Sequence, residues 1–244
     1  MAKRQIVRRT LLFLFFFALP ITLNYYSPVL IIESAFDRTI NFSFFFWVGY
    51  LVTAFFVGRA ACAYVCPLGA AQEMEDSMAP KPLVKVKYLE GVKYLLAVAW
   101  VGAIIYGAVS SGGYQRVHLL YNTEAIISLE DIHNVIVYYI VTLVTLLPVF
   151  FMGKRAFCRY FCPFSILNIV GSKLALWLKW PFQLHLKASP DKCTQCGTCS
   201  RNCQMSLDVR GMVQSGTMQA TECILCGQCV DGCKAGAIRY AWKR

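Results

Sequence analysis

Four apolar runs, at residues 11–32, 40–57, 92–109 and 135–152, leave this chain few folds to choose from. Each comes close to the roughly 20 apolar residues that carry a helix across a bilayer. The runs are continuously apolar rather than alternating, which sets aside membrane β-strands. With 57% of its 244 residues hydrophobic and 15% charged, the chain is no ordinary soluble protein either. Lys3, Arg4, Arg8 and Arg9 precede the first run in the manner of a secretory signal. That run is long, has no convincing small-x-small cleavage site and is followed at once by a second, so an uncleaved first span is expected. Pro20, Asn24, Ser27 and Pro28 interrupt it and predict a kinked or unwound outer end.

A formal charge of +11 raises the question of nucleic acid, and its distribution answers it. Lys and Arg gather at the edges of the apolar runs, in residues 59–87 and after Lys154. The segments around 33–38 and 110–132 carry only Arg38 and Arg116 against several acids. That is the positive-inside bias, with a contribution from anionic lipid headgroups. No recognition motif accompanies the charge, so nucleic acid is not among the expected partners. Four spans with both termini in the cytoplasm satisfy the rule and give a multi-pass protein of the cytoplasmic (inner) membrane.

A repeat lies beneath this topology. Arg59, Cys62, Cys66 and Pro67 recur as Arg155, Cys158, Cys162 and Pro163, an R-x2-C-x3-C-P pattern closing the second and fourth runs. Upstream, residues 26–32 shadow 121–127 less closely. Two helical hairpins of like orientation, related by an axis along the membrane normal, account for both matches. On a helix, each i, i+4 pair projects from one face with Cβ atoms roughly 5–6 Å apart. The prolines end that helix and free backbone groups to face the thiols. Parallel hairpins would bring Cys62, Cys66, Cys158 and Cys162 to one depth near the axis. Three readings stay open: a third metal or iron–sulfur centre, redox-active thiols for electrons or copper, or small buried residues that pack helix ends. Arg59 and Arg155 would lower the thiolate pKa values, or serve simply as interfacial anchors.

The tail carries the strongest chemical signal. Cys193, Cys196, Cys199 and Cys203 follow a C-x2-C-x2-C-x3-C rhythm that Cys223, Cys226, Cys229 and Cys233 repeat. Two such runs are the ligand set of a two-cluster bacterial ferredoxin, in which three thiolates wrap one cube and the fourth reaches to its neighbour. The expected sets are Cys193, Cys196, Cys199 and Cys233 for one [4Fe–4S] cluster, and Cys223, Cys226, Cys229 and Cys203 for the other. Gly197 and Gly227 follow a ligand, where a cube needs backbone approach without a Cβ. Zinc usually takes two C-x2-C pairs across a longer gap, and a disulfide framework needs an oxidising compartment that the topology argues against. The proline that commonly follows the fourth cysteine is replaced by Gln204 in one run and Lys234 in the other, which bears on shielding and reduction potential.

Residues 174–180, mixed apolar and basic with two tryptophans, suit an interfacial helix, and a shorter stretch of that kind follows Pro67 up to Pro80 and Pro82. Pro181 and Pro190 bracket a linker into the tail. Histidines are few: His118, His133 and His185, none inside a span where two facing histidines would hold a haem b. His133 with Glu124, Glu130 or Asp131 suits a proton acceptor at the outer face, or is merely solvated; Glu33 with Asn24 and Tyr25 is a weaker candidate of the same kind.

Four spans, two C-x3-C-P motifs and a double cysteine run together resemble the membrane polyferredoxin family, which includes the NapH-type subunit of periplasmic nitrate reductase systems and the membrane core of NosR-type proteins. The resemblance spans nearly the whole chain and rests on all twelve cysteines. The sequence lacks the large extracytoplasmic flavin domain of NosR-type members and a flavin attachment motif, which disfavours that branch. The expected fold is mainly α: a four-helix transmembrane bundle of two repeated hairpins over residues 1–180, and an α+β two-cluster ferredoxin domain over residues 181–244. The resemblance implies an electron-transfer subunit of quinol dehydrogenase type, linking a quinone pool or cytoplasmic donor to a partner redox protein in a membrane complex. No nucleotide, flavin or molybdenum motif is visible, so substrate chemistry belongs to a partner. A metal-reducing or maturation factor, or a redox sensor, would use the same clusters.

Overall fold

The computed structural model describes residues 2–78, 80–121, 128 and 132–242. The chain is mainly helical. Its first apolar run is not one rod but three helices, α1 (Lys3–Phe17), α2 (Leu19–Tyr26) and α3 (Leu30–Phe36), with α1 and α2 meeting at 82°. Pro20 sits in the first turn of α2, where its missing N–H has no helical acceptor to leave empty, and Ser27 and Pro28 separate α2 from α3. The expected kink is therefore present, twice. The α1 helix does not simply flank a span: Gln5 and Arg8 are buried, and α1 packs on a helix of the first repeat.

After β1 (Thr39–Ile40), α4 (Phe42–Val57) opens at Asn41, whose side chain accepts a hydrogen bond from the Phe44 N–H at 3.1 Å. It leads into α5 (Ala60–Tyr64) and α6 (Pro67–Met78). The long helix α7 (Val92–Ser110) follows, then β2 (Arg116–Val117), then α8 (Ile132–Met152), α9 (Ala156–Tyr160) and α10 (Phe164–Trp177). The sequence repeat is thus a structural one, in which a long apolar helix, a one-turn helix bearing the first cysteine and a helix begun at the proline recur in order. The paired cysteines do not share a helix, however. Cys66 and Cys162 lie past the ends of α5 and α9, because a proline drives the residue before it out of the α region. Pro67 and Pro163 start the next helix as much as they stop the last. Strands β1 and β2 pair in parallel, Thr39 with Arg116 and Ile40 with Val117, as two hairpins of like direction permit. The weaker upstream match falls on residues 121–127, all but Tyr121 outside the described residues.

Residues 87–110 and 134–152 form helices long and apolar enough to cross a membrane, and α1 with α2 is a third if the bent pair counts as one span. At 16 residues, α4 falls short of that length. Leu95, Val98 and Val109 on α7 and Ile136, Leu143 and Phe151 on α8 stand exposed. Apolar surface of that extent needs lipid, and the chain is a membrane protein. Inside, α10 lies closely on α4. A Cβ on Gly171 would meet the Ala54 Cβ at 2.7 Å and the Leu51 carbonyl oxygen at 2.8 Å. Gly171→Val should therefore force the two helices apart at a cost of about 1–3 kcal/mol, read as a lower melting temperature of the purified protein in detergent. An unchanged melting temperature would contradict this packing. The interfacial stretch expected at 174–180 ends this helix, with Ala175 buried and Trp177 exposed.

The tail is built on β3 (His185–Ala188) and β4 (Ile238–Ala241), antiparallel, with the short helices α11 (Thr198–Arg201), α12 (Val209–Gln214) and α13 (Gln228–Asp231). Its core of Leu186, Val209, Val213, Leu225 and Ile238 is shared with Ala60 of α5. The linker is tied down as well: the Leu184 N–H donates to the Phe56 carbonyl at 2.7 Å. The tail is packed against the first repeat.

Candidate iron–sulfur sites

Each tail run folds by the same rule. Gln195 and Leu225, at φ 55° and 52°, precede the second cysteine, and Gly197 and Gly227, at φ 71° and 78°, follow it. A left-handed conformation costs a non-glycine residue roughly 1–2 kcal/mol, and the chain adopts it at equivalent places in both runs, curling the cysteines around a common centre. Gly227 is held to glycine twice over, since a Cβ there would lie 2.6 Å from the Tyr240 hydroxyl. That hydroxyl donates to the Leu225 carbonyl at 2.6 Å.

The fourth cysteine of each run lies beside cysteines of the other. Burial pushes Cys223 up to about 12, opposed by the Leu225 N–H and reinforced by Cys226 and Cys203. Burial likewise raises Cys229 well above an ordinary thiol, with Cys226, Cys223 and Cys203 adding to it. Cys199 is raised by burial, with Cys233 contributing in the same direction. Cys196 differs: it is exposed, and the hydroxyl and N–H of Thr198, with Thr194, bring its thiol down to about 7.

The repeat cysteines meet as well. Cys62, Cys66, Cys158 and Cys162 all line one cavity of about 1210 Å³ between the repeats. Trp47, Tyr50, Trp100 and Phe164 form aromatic walls, with Trp47 stacked on Phe164 at 4.0 Å between centroids. Tyr50 Oη lies 3.1 Å from Cys62 Sγ, Asn168 Nδ2 donates to the same sulfur at 3.4 Å, and Gln72 Nε2 donates to Cys158 Sγ at 3.0 Å. Burial pushes Cys66 up to about 12, Cys158 and Cys62 add to it, and the Gly69 N–H and Arg155 work against it. Cys162 is raised further, by burial and then by Cys158, Cys66 and Cys62, against the Ser165 N–H. The N–H three residues on from the second cysteine thus faces its sulfur in both repeats. Arg155 and Arg59 do favour the Cys158 thiolate, as the sequence suggests, yet burial outweighs them and the thiol is raised.

Whether this donor set fits an iron–sulfur cube follows from three features. Three of these thiols, Cys66, Cys158 and Cys162, are raised and become thiolates only around strong positive charge, which iron supplies. Arg59 Nε and Nη2 and Arg155 Nε are buried N–H donors with no protein acceptor among the described residues, and sulfur atoms of an anionic cube would accept from them. Cys62 and Cys66 from one repeat and Cys158 and Cys162 from the other line the same cavity, so four sulfurs border one shared space. The residues present fit.

Both arginines are locked. Arg155 donates from Nη1 to the Cys62 carbonyl at 2.9 Å and from Nη2 to Glu73 at 3.0 Å. Glu73 also accepts two bonds from Arg8, at 2.7 and 2.5 Å. Arg59, at the equivalent position, instead donates to Glu222 of the tail at 2.8 Å, beside Lys93 at 2.5 Å. Gln5 donates to the Cys226 carbonyl at 3.0 Å, and Cys62, Ala63, Met205, Ile224 and Cys226 form one buried cluster. Neither arginine is an interfacial anchor. Sequence reasoning missed Gln5, Arg8, Glu73 and Glu222; the available hint was that acids stand among the basic residues of 59–87 and of the tail.

The other candidates separate. Asn24 and Glu33 line the same cavity as the four cysteines, while Tyr25 packs edge-on against Phe42 at 5.3 Å. His118 is exposed, and His185 Nδ1 lies 3.1 Å from the Gln183 carbonyl. Glu124, Glu130, Asp131 and the His133 side chain lie outside the described residues.

Twelve cysteines so disposed in and beside a membrane define an iron–sulfur electron-transport protein. The 4Fe-4S binding domain family matches at residues 41–79 and 135–181, the two structural repeats, and the 4Fe-4S dicluster domain family matches at residues 192–238. Among curated proteins the chain is 28% identical to the uncharacterized protein MJ0749 of Methanocaldococcus jannaschii, over 78% of this chain and 68% of that one. It is 25% identical to YccM of Escherichia coli, named as an electron transport protein, over 76% of this chain and 52% of that one. It is 22% identical to the regulatory protein NosR of Pseudomonas aeruginosa, over 76% of this chain and 25% of that one. The chain therefore spans about half the length of YccM and a quarter of NosR. No solved structure matches it. By its iron–sulfur ferredoxin domains and these homologues, the chain belongs with the membrane polyferredoxin-like proteins.

Proposed function

We propose that the protein is a membrane-bound electron relay with three iron–sulfur centres, working between a quinol pool, or a cytoplasmic donor, and a partner redox protein. Cys193, Cys196, Cys199 and Cys233 hold one cluster, Cys223, Cys226, Cys229 and Cys203 a second, and Cys62, Cys66, Cys158 and Cys162 a third. When bound, each cluster accepts and returns single electrons. The chain crosses the membrane four times, the bent α1–α2 pair and the short α4 serving as the first two crossings, with both termini and the tail in the cytoplasm.

The observation that carries this reading is that Cys62 and Cys226 belong to one buried cluster with Ala63, Met205 and Ile224, so the membrane cysteines and the tail cysteines share a core. Gln5 and the Arg59–Glu222–Lys93 bridge hold that contact in place. The cavity supports the quinol end, because it exceeds the roughly 300–1,000 Å³ of ordinary ligand pockets and has aromatic walls for a planar ring. Asn24 and Glu33 supply polar groups there for hydroxyls and their protons. In anaerobic membranes a reduced short-chain quinol should bleach the visible iron–sulfur absorbance. Clusters that are present, reducible by dithionite and untouched by quinol would rule out the quinol end and leave the cytoplasmic donor.

A further inference from the structure

The tail's charges are sorted by direction. Within residues 181–242 there are four acids, Asp191, Asp208, Glu222 and Asp231. Glu222 is taken up by Arg59 and Lys93, and Asp231 by Gln5 and Arg4, all of them in the membrane part. Asp208 caps α12 by accepting from the Gly211 N–H at 3.1 Å. The cations are disposed otherwise. Lys192 adjoins Cys193, Lys234 adjoins Cys233, and Arg201 donates to the Cys196 carbonyl at 3.2 Å; all three are exposed, as is Cys196.

Lys187 and Arg239 are exposed cations five residues from Lys192 and Lys234 in the chain. They are directly opposed across the β3–β4 pair and both exposed, on the side away from Leu186 and Ile238. Like charges placed opposite one another destabilise a sheet, so the pairing works against the fold and needs another reason. The two positions after the fourth cysteine point the same way, since Gln204 is buried against Gln228 whereas Lys234 faces out. Two carboxylates are close in sequence to these cations, Asp191 beside Lys192 and Asp231 three residues before Lys234, and Asp231 is engaged by Gln5 and Arg4.

We infer that the face formed by Lys192, Arg201 and Lys234, flanked by Lys187 and Arg239, is the docking surface for an acidic soluble redox protein. Lys192 and Lys234 adjoin Cys193 and Cys233 in the chain and Arg201 bonds the Cys196 backbone, beside the exposed cysteine of the tail, so a partner drawn to them arrives where electrons can be exchanged. This rests on the relay reading above. It adds the site of contact and the chemistry of the partner.

The test uses the full chain in nanodiscs of zwitterionic lipid, with an acidic two-iron ferredoxin as the probe and binding followed at rising ionic strength. Wild-type protein should bind at low salt and lose that binding as salt screens the charges. Lys192→Glu, Arg201→Glu and Lys234→Glu together should slow association by roughly tenfold or more, with iron content unchanged. Charge reversal at the exposed Lys85 and Lys87, near the membrane, should leave it as in wild type. The inference fails if the triple variant binds as wild type does, or if the Lys85 and Lys87 variant loses as much. It fails too if the wild type ignores the ferredoxin and uses these cations on phosphatidylglycerol vesicles. Iron content judges the relay separately: iron-free protein overturns that reading, and iron-loaded protein without salt-dependent binding overturns only this one.

Discussion

Changing Cys66 and Cys162 together to serine should remove about a third of the iron and labile sulfide bound per chain, leaving the amount expected of two cubes. The variant is chosen for what it spares. Both residues lie past the ends of α5 and α9, so no helix interior is altered, and serine is close to cysteine in size. Each presents its sulfur to a backbone N–H, of Gly69 or Ser165, that a hydroxyl can still satisfy. Cys62 and Cys158 remain, with Tyr50, Asn168 and Gln72 around them, but two thiolates do not retain a cube. The tail clusters should persist and report that the protein is folded. Iron and sulfide unchanged from wild type would return the four cysteines to redox thiols or to packing.

The second large effect is on stability. Glu73 is buried between Arg8 and Arg155, with side-chain exposures of 5%, 0% and 1%. Glu73→Gln keeps the shape and removes the charge, leaving two guanidinium groups in the interior without their carboxylate. Losing one partner of a buried ion pair costs about 3–5 kcal/mol, which should appear as a much lower melting temperature in detergent. The same residue predicts an acid limb. Burial alone raises the Glu73 carboxyl, but the hydrogen bonds and charges of Arg8 and Arg155 outweigh it and hold it at about 2, against an ordinary 4.5. A depressed carboxylate stabilises the fold fully above the unfolded value and loses that contribution as pH falls from about 4.5 towards 2. The shift corresponds to roughly 3 kcal/mol. Wild-type stability, followed by tryptophan fluorescence, should drop across that window by more than that of Glu73→Gln. Parallel acid curves for the two proteins would mean the triad is not the source.

These two sites differ in how far the sequence announced them. The cysteine rhythm was legible because a cube imposes short, fixed spacings, and Gly197 and Gly227 took the left-handed conformation it demands. Gln195 and Leu225 share that conformation and gave no sign of it, since neither residue type favours it. The C-x3-C-P repeat was legible as a duplication, but the i, i+4 reading placed both cysteines on one helix, and the proline's effect on its predecessor overrode that. Arg8 read as one more positive charge at a membrane edge; its burial depends on Glu73, 65 positions away, which no local pattern reveals. Glu222 was hidden for the same reason, its partners lying in α7 and at the start of α5.

The duplicated halves are not interchangeable. Arg155 is answered by Glu73 from within the membrane part, whereas its counterpart Arg59 is answered by Glu222 from the tail. The repeat offers two equivalent arginines, and the choice of counter-ion gives only one of them to the tail. A chain re-engineered to carry its halves in reverse order would keep both motifs and lose its way of seating the tail.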